Sequence, residues 1–597
     1  MAAAWRPLLR LACARDEKRA LRGSMTTVRN SHESGRRVRA VGVVARSIVL
    51  SCFLLANPGA RSASAQSPVQ IPRVTGSVEL SLVNVDVVVT GRDGKPVEGL
   101  TAADFTVLHE KKPVAVTNFR EEKAALPVAQ ASAAADPSRG EPVPAATAVP
   151  ASEAVAEERR VRRHVAIFID HLALPDVKER EQVFGSLKSL LRRTLQPGDA
   201  AMIASWRGGV QVVYPFTGDV ALLERQLDAV ATGAIRLGRD VQEELDRLAG
   251  DDWAYAWAGA GDSSLSRNLN VQQAYSEVKG KATALKGLIA TMAGLEGRKV
   301  LVFVSRSFSR RPGAEFFGTT MDTVSLIDSV TEKANAAGVT IHSLYAAAWE
   351  SESPNVANSP LSDPRSIGRA GLTRSESKRV NEMASLEKLA DRTGGVVVTT
   401  TMEAPAFASL VASDLLHWYS LGYPAPAGAS GAGEVSVRVN RPGLTVRTRR
   451  SVVERGPEER IEDRVLANLF RMDQNARLPI AVSTGTAKKE KKGRFLTPTL
   501  VRVPVRHLVL LPTATGTMSG AVSVFTVSAG PGGEFSDVRR ERREIELPAA
   551  SAGPASTTVL SYDLEIPTSD PAARISIGVW DETGGEAGFR IIRPGSR

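Results

Sequence analysis

Two cysteines in 597 residues, Cys13 and Cys52, both fall within the first 65 positions. A chain that sheds that stretch has no disulfide, no thiolate metal site and no cysteine nucleophile. Histidine is scarce as well. Of seven, His32 lies in the leader, and His109, His164, His171, His342, His417 and His507 are scattered, mostly within strand or helix patterns. Each reads as a hydrogen-bonded structural residue. The sequence carries no G-x-S-x-G elbow, no H-E-x-x-H and no G-x-x-x-x-G-K-[ST], so no serine hydrolase, zincin or P-loop site is recognisable. The paired carboxylates Glu243-Glu244 and Asp251-Asp252 lie in a charged insertion and read as a solvated face. These gaps point to a protein that is not an enzyme and uses no cofactor.

A basic excess is also missing where it would matter. The chain is formally +11, but residues 1–65 hold twelve Lys/Arg against three Asp/Glu, and the rest holds 64 against 62. Nucleic acid is therefore not an expected partner. The lysines of AKKEKKGRF (487–495) read as a hairpin tip in water. Long apolar runs are absent too. The strongest, SIVLSCFLLA at 47–56, is short for a membrane span, follows Arg36, Arg37, Arg39 and Arg46, and precedes Ala63-Ser64-Ala65. It reads as a secretion signal cleaved after Ala65, with Met1 or Met25 as the start. Export to the periplasm or the exterior is expected, and membrane contact only through an uncleaved leader.

What is present is modular. Residues 74–120 alternate apolar and polar side chains around the turn sequence RDGKP and read as a small β-sandwich-like module. Residues 121–160 are rich in Ala and Pro and read as a linker. From 161 to 425, Val/Ile-rich strands alternate with amphipathic segments, which predicts a doubly wound, mostly parallel α/β sheet covered on both faces. Within it, 231–269 and 350–379 read as insertions, the second of them mobile. FASLVASDLLHWYSL is predicted as one helix. Residues 430–455 read as a β-hairpin extension around RPG, and 461–597 as a C-terminal β-rich module.

The strand HVAIFID ends on Asp170, and in open α/β sheets ligands gather at such C-terminal strand ends. The segments SLVNVDVVVTGRDGKPVEGLTAADFTVLHEKKP, RRHVAIFIDHLAL, WYSLGYPAP and NRPGLTVRTRRSVV together resemble the von Willebrand factor type A-related (VWFA-related) proteins common in acidobacteria. The resemblance spans about 75–455 and implies a type A-like domain between flanking β modules. Type A domains with a metal-ion-dependent adhesion site hold a divalent cation through an Asp-x-Ser-x-Ser loop, a Thr and a second Asp. This chain keeps Asp170, but Leu172 and Leu174 stand at the serine positions, and Ser305 and Ser307 stand where the second Asp belongs. The Thr is left unassigned, Thr217 lying in a plausible though early loop. A hard cation wants more oxygen than this, so no metal site is expected. The candidate binding residues are Asp170, His171, Ser305 and Ser307 on the strand-end rim, and Trp253, Tyr255 and Trp257 on the 231–269 insertion. The favoured expectation is an exported interaction protein with a degenerate, metal-independent type A-like domain that binds a protein or an extracellular surface. A structural spacer in envelope assembly or secretion is the alternative, and a hydrolase with an unrecognised site a third.

Overall fold

A computed structural model describes residues 82–123, 161–170, 177–206, 210–232, 263–305, 308–312, 321–346, 364–398, 403–425, 432–470, 477–490, 493–531, 533–553 and 556–593. The expected secretion signal, most of the linker and the Trp-bearing part of the 231–269 insertion lie outside these residues. Among the described residues no helix is long and apolar enough to cross a membrane.

The chain is mixed α/β. Strands β1 (Leu82–Thr90), β2 (Phe105–His109), β3 (Lys112–Val114) and β4 (Asn118–Lys123) come first. The alternating unit follows: β5 (Arg163–Asp170), α1 (Val177–Thr194), β6 (Ala200–Trp206), β7 (Val210–Thr217), α2 (220–232), α3 (Ser263–Ala293), β8 (Arg298–Ser305), α4 (Val324–Ala337), β9 (Val339–Tyr345), α5 (Pro364–Thr393), β10 (Val397–Val398) and α6 (Ala404–Leu416). Its six strands lie in the order β10-β9-β8-β5-β6-β7, parallel except for the edge strand β7. All eight residues of β5 are buried, as a strand covered on both faces requires. Alternate side chains explain the two faces. Ala166 and Phe168 join the apolar stripes of α3 and α4, whereas Val165, Ile167 and Ile169 join α1, α2 and α6. At the foot of β5, Arg163 is buried and held by Asp199, with Nε to Oδ2 at 3.0 Å and Nη2 to Oδ2 at 2.5 Å.

Beyond α6 the chain returns to its own beginning. Strands β11 (His417–Pro424), β12 (Ala432–Val439), β13 (Thr445–Thr448) and β14 (Ser451–Val453) complete two four-stranded sheets, β13-β1-β11-β4 and β14-β12-β2-β3. Val85, Val87, Tyr419 and Leu421 of one sheet meet Phe105, Val107, Val435 and Val437 of the other in a shared core. Four expectations change here. The helix predicted over 407–421 stops at Leu416, because His417–Pro424 pairs with β1 and β4. The hairpin expected over 430–455 is split, since β12 pairs antiparallel with β14 and with β2 while β13, between them in sequence, pairs with β1 in the other sheet. The segment 350–379, read as mobile, contributes its last residues to α5. The linker predicted from 121 begins later, because β4 runs to Lys123.

Helix α7 (Pro457–Asn468) then leads into two further sheets. Strands β15 (Ala481–Thr484), β16 (Lys488–Lys489) and β21 (Val559–Thr568) pair with β17 (Phe495–Pro504). Strand β18 (Leu511–Pro512), β19 (Thr517–Ala529), β20 (Arg539–Pro548), β22 (Arg574–Asp581) and β23 (Ala587–Ile592) form the second sheet. The two enclose a core of Val501, Val503, Val524, Leu564, Ile575 and Ile577 among others. Ile461, Val465 and Leu466 of α7 join the core of α3 on one side and Phe525 and Phe589 on the other, which ties this β region to the α/β unit.

Candidate functional site: a carboxylate and an internal cation at the strand ends

The sheet order sets the site. The chain passes from β5 outward to β6 and β7, then crosses back to β8 on the other side, so the C-terminal ends of β5 and β8 flank the point where the strand order reverses. Asp170 ends β5 and Ser305 ends β8, with Ile169 level with Val304 in the register. Both are fully buried, and Ser305 Oγ donates to Asp170 Oδ2 at 2.9 Å.

The third member comes from α3. Lys281 is fully buried, and its Nζ lies 2.5 Å from Asp170 Oδ2 and 2.5 Å from Oε1 of Glu277, one turn earlier on the same helix. Burial alone would depress the ammonium, but Asp170 and Glu277 outweigh it and hold Lys281 above its ordinary value. Lys281 is therefore charged, and the cation facing Asp170 is part of the protein. Trp206, level with Asp170 on β6, is also buried and lies over α3 beside this lysine. A Cβ at Gly280 would come 2.6 Å from its ring, so the glycine is what lets indole and helix close over the ion pair.

The divalent cation that the resemblance implies does not fit this set. A hard cation needs several oxygen ligands, and among the described residues the oxygens here are Asp170, Ser305 and Glu277 with an ammonium among them. Thr217 cannot join them. The edge strand β7 runs antiparallel, so Thr217 faces Ala201 at the start of β6, at the far end of the sheet from Asp170. Among the described residues no group of three or more His, Cys, Asp or Glu side chains could hold a metal ion.

Of the rim candidates the structure thus brings Asp170 and Ser305 together, as buried partners rather than exposed contacts. His171, Ser307, Trp253, Tyr255 and Trp257 lie outside the described residues. Sequence reasoning missed Lys281, although a signal existed. The buried stripe Val278, Lys281, Leu285, Leu288, Met292 is at helical spacing, with one lysine in it and Glu277 four residues before that lysine. A charge inside an apolar stripe requires a buried counter-charge.

Three buried histidines are held by neighbouring polar groups. His109 lies 2.9 Å from the Tyr423 hydroxyl, and His417 lies 2.9 Å from Glu121 Oε1. Burial alone would raise Glu121, but bonds from His417, the Gly99 amide, Lys123 and Tyr419 bring it down to about 2. His342 is fully buried and accepts the Val396 amide at Nδ1, 3.1 Å away. Burial draws its pKa down to about 4, against the opposing pull of Asp414.

No protein-family model matches the sequence, and no curated protein matches it. Among solved structures the chain is similar to an aerotolerance-related membrane protein from Bacteroides fragilis NCTC 9343, at 11% identity and a TM-score of 0.22, over 42% of this chain and 98% of that one. BatB, a conserved hypothetical protein from Bacteroides thetaiotaomicron, is similar at 11% identity and a TM-score of 0.22, over 42% and 98%. The vWF domain of the type V pili tip protein Mfa5 from Porphyromonas gingivalis is similar at 13% identity and a TM-score of 0.19, over 42% and 94%. These are partial likenesses of fold.

Proposed function

We propose that the chain is an exported, non-enzymatic interaction protein whose α/β unit is a type A-like domain in the doubly wound arrangement, working without a divalent cation. The observation that carries this reading is the buried contact of Lys281 Nζ with Asp170 Oδ2. In a cation-dependent domain a metal ion at this carboxylate is free to bridge to an acidic group on the partner. Here the charge is supplied by a lysine that is itself wholly buried, so it organises the strand ends and leaves recognition to what surrounds them.

On this reading Asp170 and Ser305 shape the rim from below. The residues proposed to touch a partner protein or extracellular surface are His171 and Ser307 at the strand ends, with Trp253, Tyr255 and Trp257 on the insertion. The β layers on either side act as modules that present this unit. The test is a chemical cross-linking pull-down from whole cells, run with and without EDTA. The reading expects the same cross-linked species in both, reduced when Trp253 and Trp257 are replaced by Ala. Capture that disappears in EDTA and returns with Mg²⁺ would overturn it.

A further inference from the structure

The opposite end of the six-stranded sheet, where β8 and β9 begin, carries a second feature. The sheet containing β1, β4 and β11 lies over these strand starts and leaves a cleft of about 760 Å³. Cavities of this size accommodate small organic ligands.

Its charged lining is unbalanced. Arg298 Nη1 donates to Asp86 Oδ2 at 2.9 Å, and Arg120 pairs with Glu122 at 3.2 Å. Two more cations line the same cleft, Lys299 and Arg449, and among the described residues neither is in an ion pair with a carboxylate. Lys299 Nζ donates to the carbonyls of Ala293 and Leu295 at 3.3 and 3.1 Å, and Arg449 donates to the carbonyls of Asn335 and Asn84. The Nε groups of Arg298 and Arg449 are buried and, among the described residues, have no acceptor.

Lys299 has a partial structural explanation, since an ammonium on the last carbonyls of α3 suits a helix C-terminus. That does not explain why Arg449 is brought to the same spot. Gly338, in the left-handed region at φ 66°, closes α4 just before β9. A Cβ built on it would lie 3.1 Å from Arg449 Nη1 and 3.8 Å from Lys299 Nζ, so both cationic tips converge over one glycine. Burial first, and Arg449 second, push Lys299 down to about 8. The Asp86 carboxylate acts on both cations but is already bonded to Arg298, and like charges this close are costly unless a further anion joins them.

We propose that this cleft binds a small organic anion whose carboxylate or phosphate group sits between Lys299 and Arg449, with Trp418 as its apolar wall. The site is independent of the Asp170 rim, since it lies at the other end of the sheet and uses none of the same residues.

The experiment is a thermal melt of the full chain in millimolar phosphate, citrate and, at matched ionic strength, sodium chloride. Phosphate or citrate should raise Tm in a saturable way that chloride does not reproduce, and the stronger of the two identifies the head group. Arg449→Gln should weaken that binding at least about tenfold, the loss of one charge-assisted contact. Because Arg449→Gln could lower stability by itself, Lys299→Met is measured beside it and should weaken binding similarly. Lys488→Met, at an exposed cation of the C-terminal sheets, should leave it unchanged. No shift beyond chloride, or a shift in both cleft variants as large as in the unaltered chain, would overturn the proposal.

Discussion

Removing the ammonium of Lys281 takes one cation away from the fully buried Asp170 carboxylate. Breaking one side of a buried pair costs about 3–5 kcal/mol, whereas replacing both sides by apolar groups of similar size is often neutral. Lys281→Met alone should therefore lower stability by that amount in urea titration, and Asp170→Leu/Lys281→Met should recover most of it. A second expectation at this scale concerns acid. His342 titrates near 4 in the folded chain and near 6.5 when unfolded, so between those values the unfolded chain holds the extra proton. Its contribution is complete above pH 6.5 and is lost as pH falls from 6.5 to 4, on the order of 3 kcal/mol in all. His342→Asn, which keeps an acceptor for the Val396 amide, should flatten the stability profile across that window.

Between elements, the close contact of α3 with β6 makes a prediction whose sign is diagnostic. Gly→Ala inside a helix normally gains about 1 kcal/mol, but overpacking costs about 1–3 kcal/mol. At Gly280 the new Cβ would meet the ring of buried Trp206 at 2.6 Å, so Gly280→Ala should destabilise, read as a lower Tm. The same scale shows what was legible in the sequence. Alternating Val/Ile-rich strands and amphipathic helices announced the α/β unit, and HVAIFID announced a buried strand ending on a carboxylate. Local pattern could not show that HWYSLGYP leaves the helical state. Its apolar content continues that of α6, and what claims it is β1, more than 300 residues earlier. For the same reason the two stretches that carry the family resemblance were informative only together. GRDGKP follows β1 and RPGLTVRT contains β13, and these two strands pair with each other. Lys281 was passed over because one lysine among polar helix residues looks solvated until its stripe is counted.

Among the described residues non-local contacts tie the elements together, and α7 is a link between the α/β unit and the C-terminal sheets. The Phe216 amide of edge strand β7 donates to the Phe470 carbonyl just beyond α7 at 3.0 Å, and Ile461 and Val465 are buried beside α3. A chain ended at Arg455 should expose that apolar face, bind a hydrophobic dye and melt below the full chain. On the proposed reading, the buried Lys281 ammonium stands beside Asp170 in place of a metal ion. Calorimetric titration with Mn²⁺ of the full chain, and of Lys281→Ala beside it, tests this directly. The account predicts no saturable heat for the full chain, and metal binding gained in Lys281→Ala, where Asp170, Ser305 and Glu277 are left with a space between them. Saturable Mn²⁺ binding by the unaltered chain, abolished by Asp170→Ala, would contradict it.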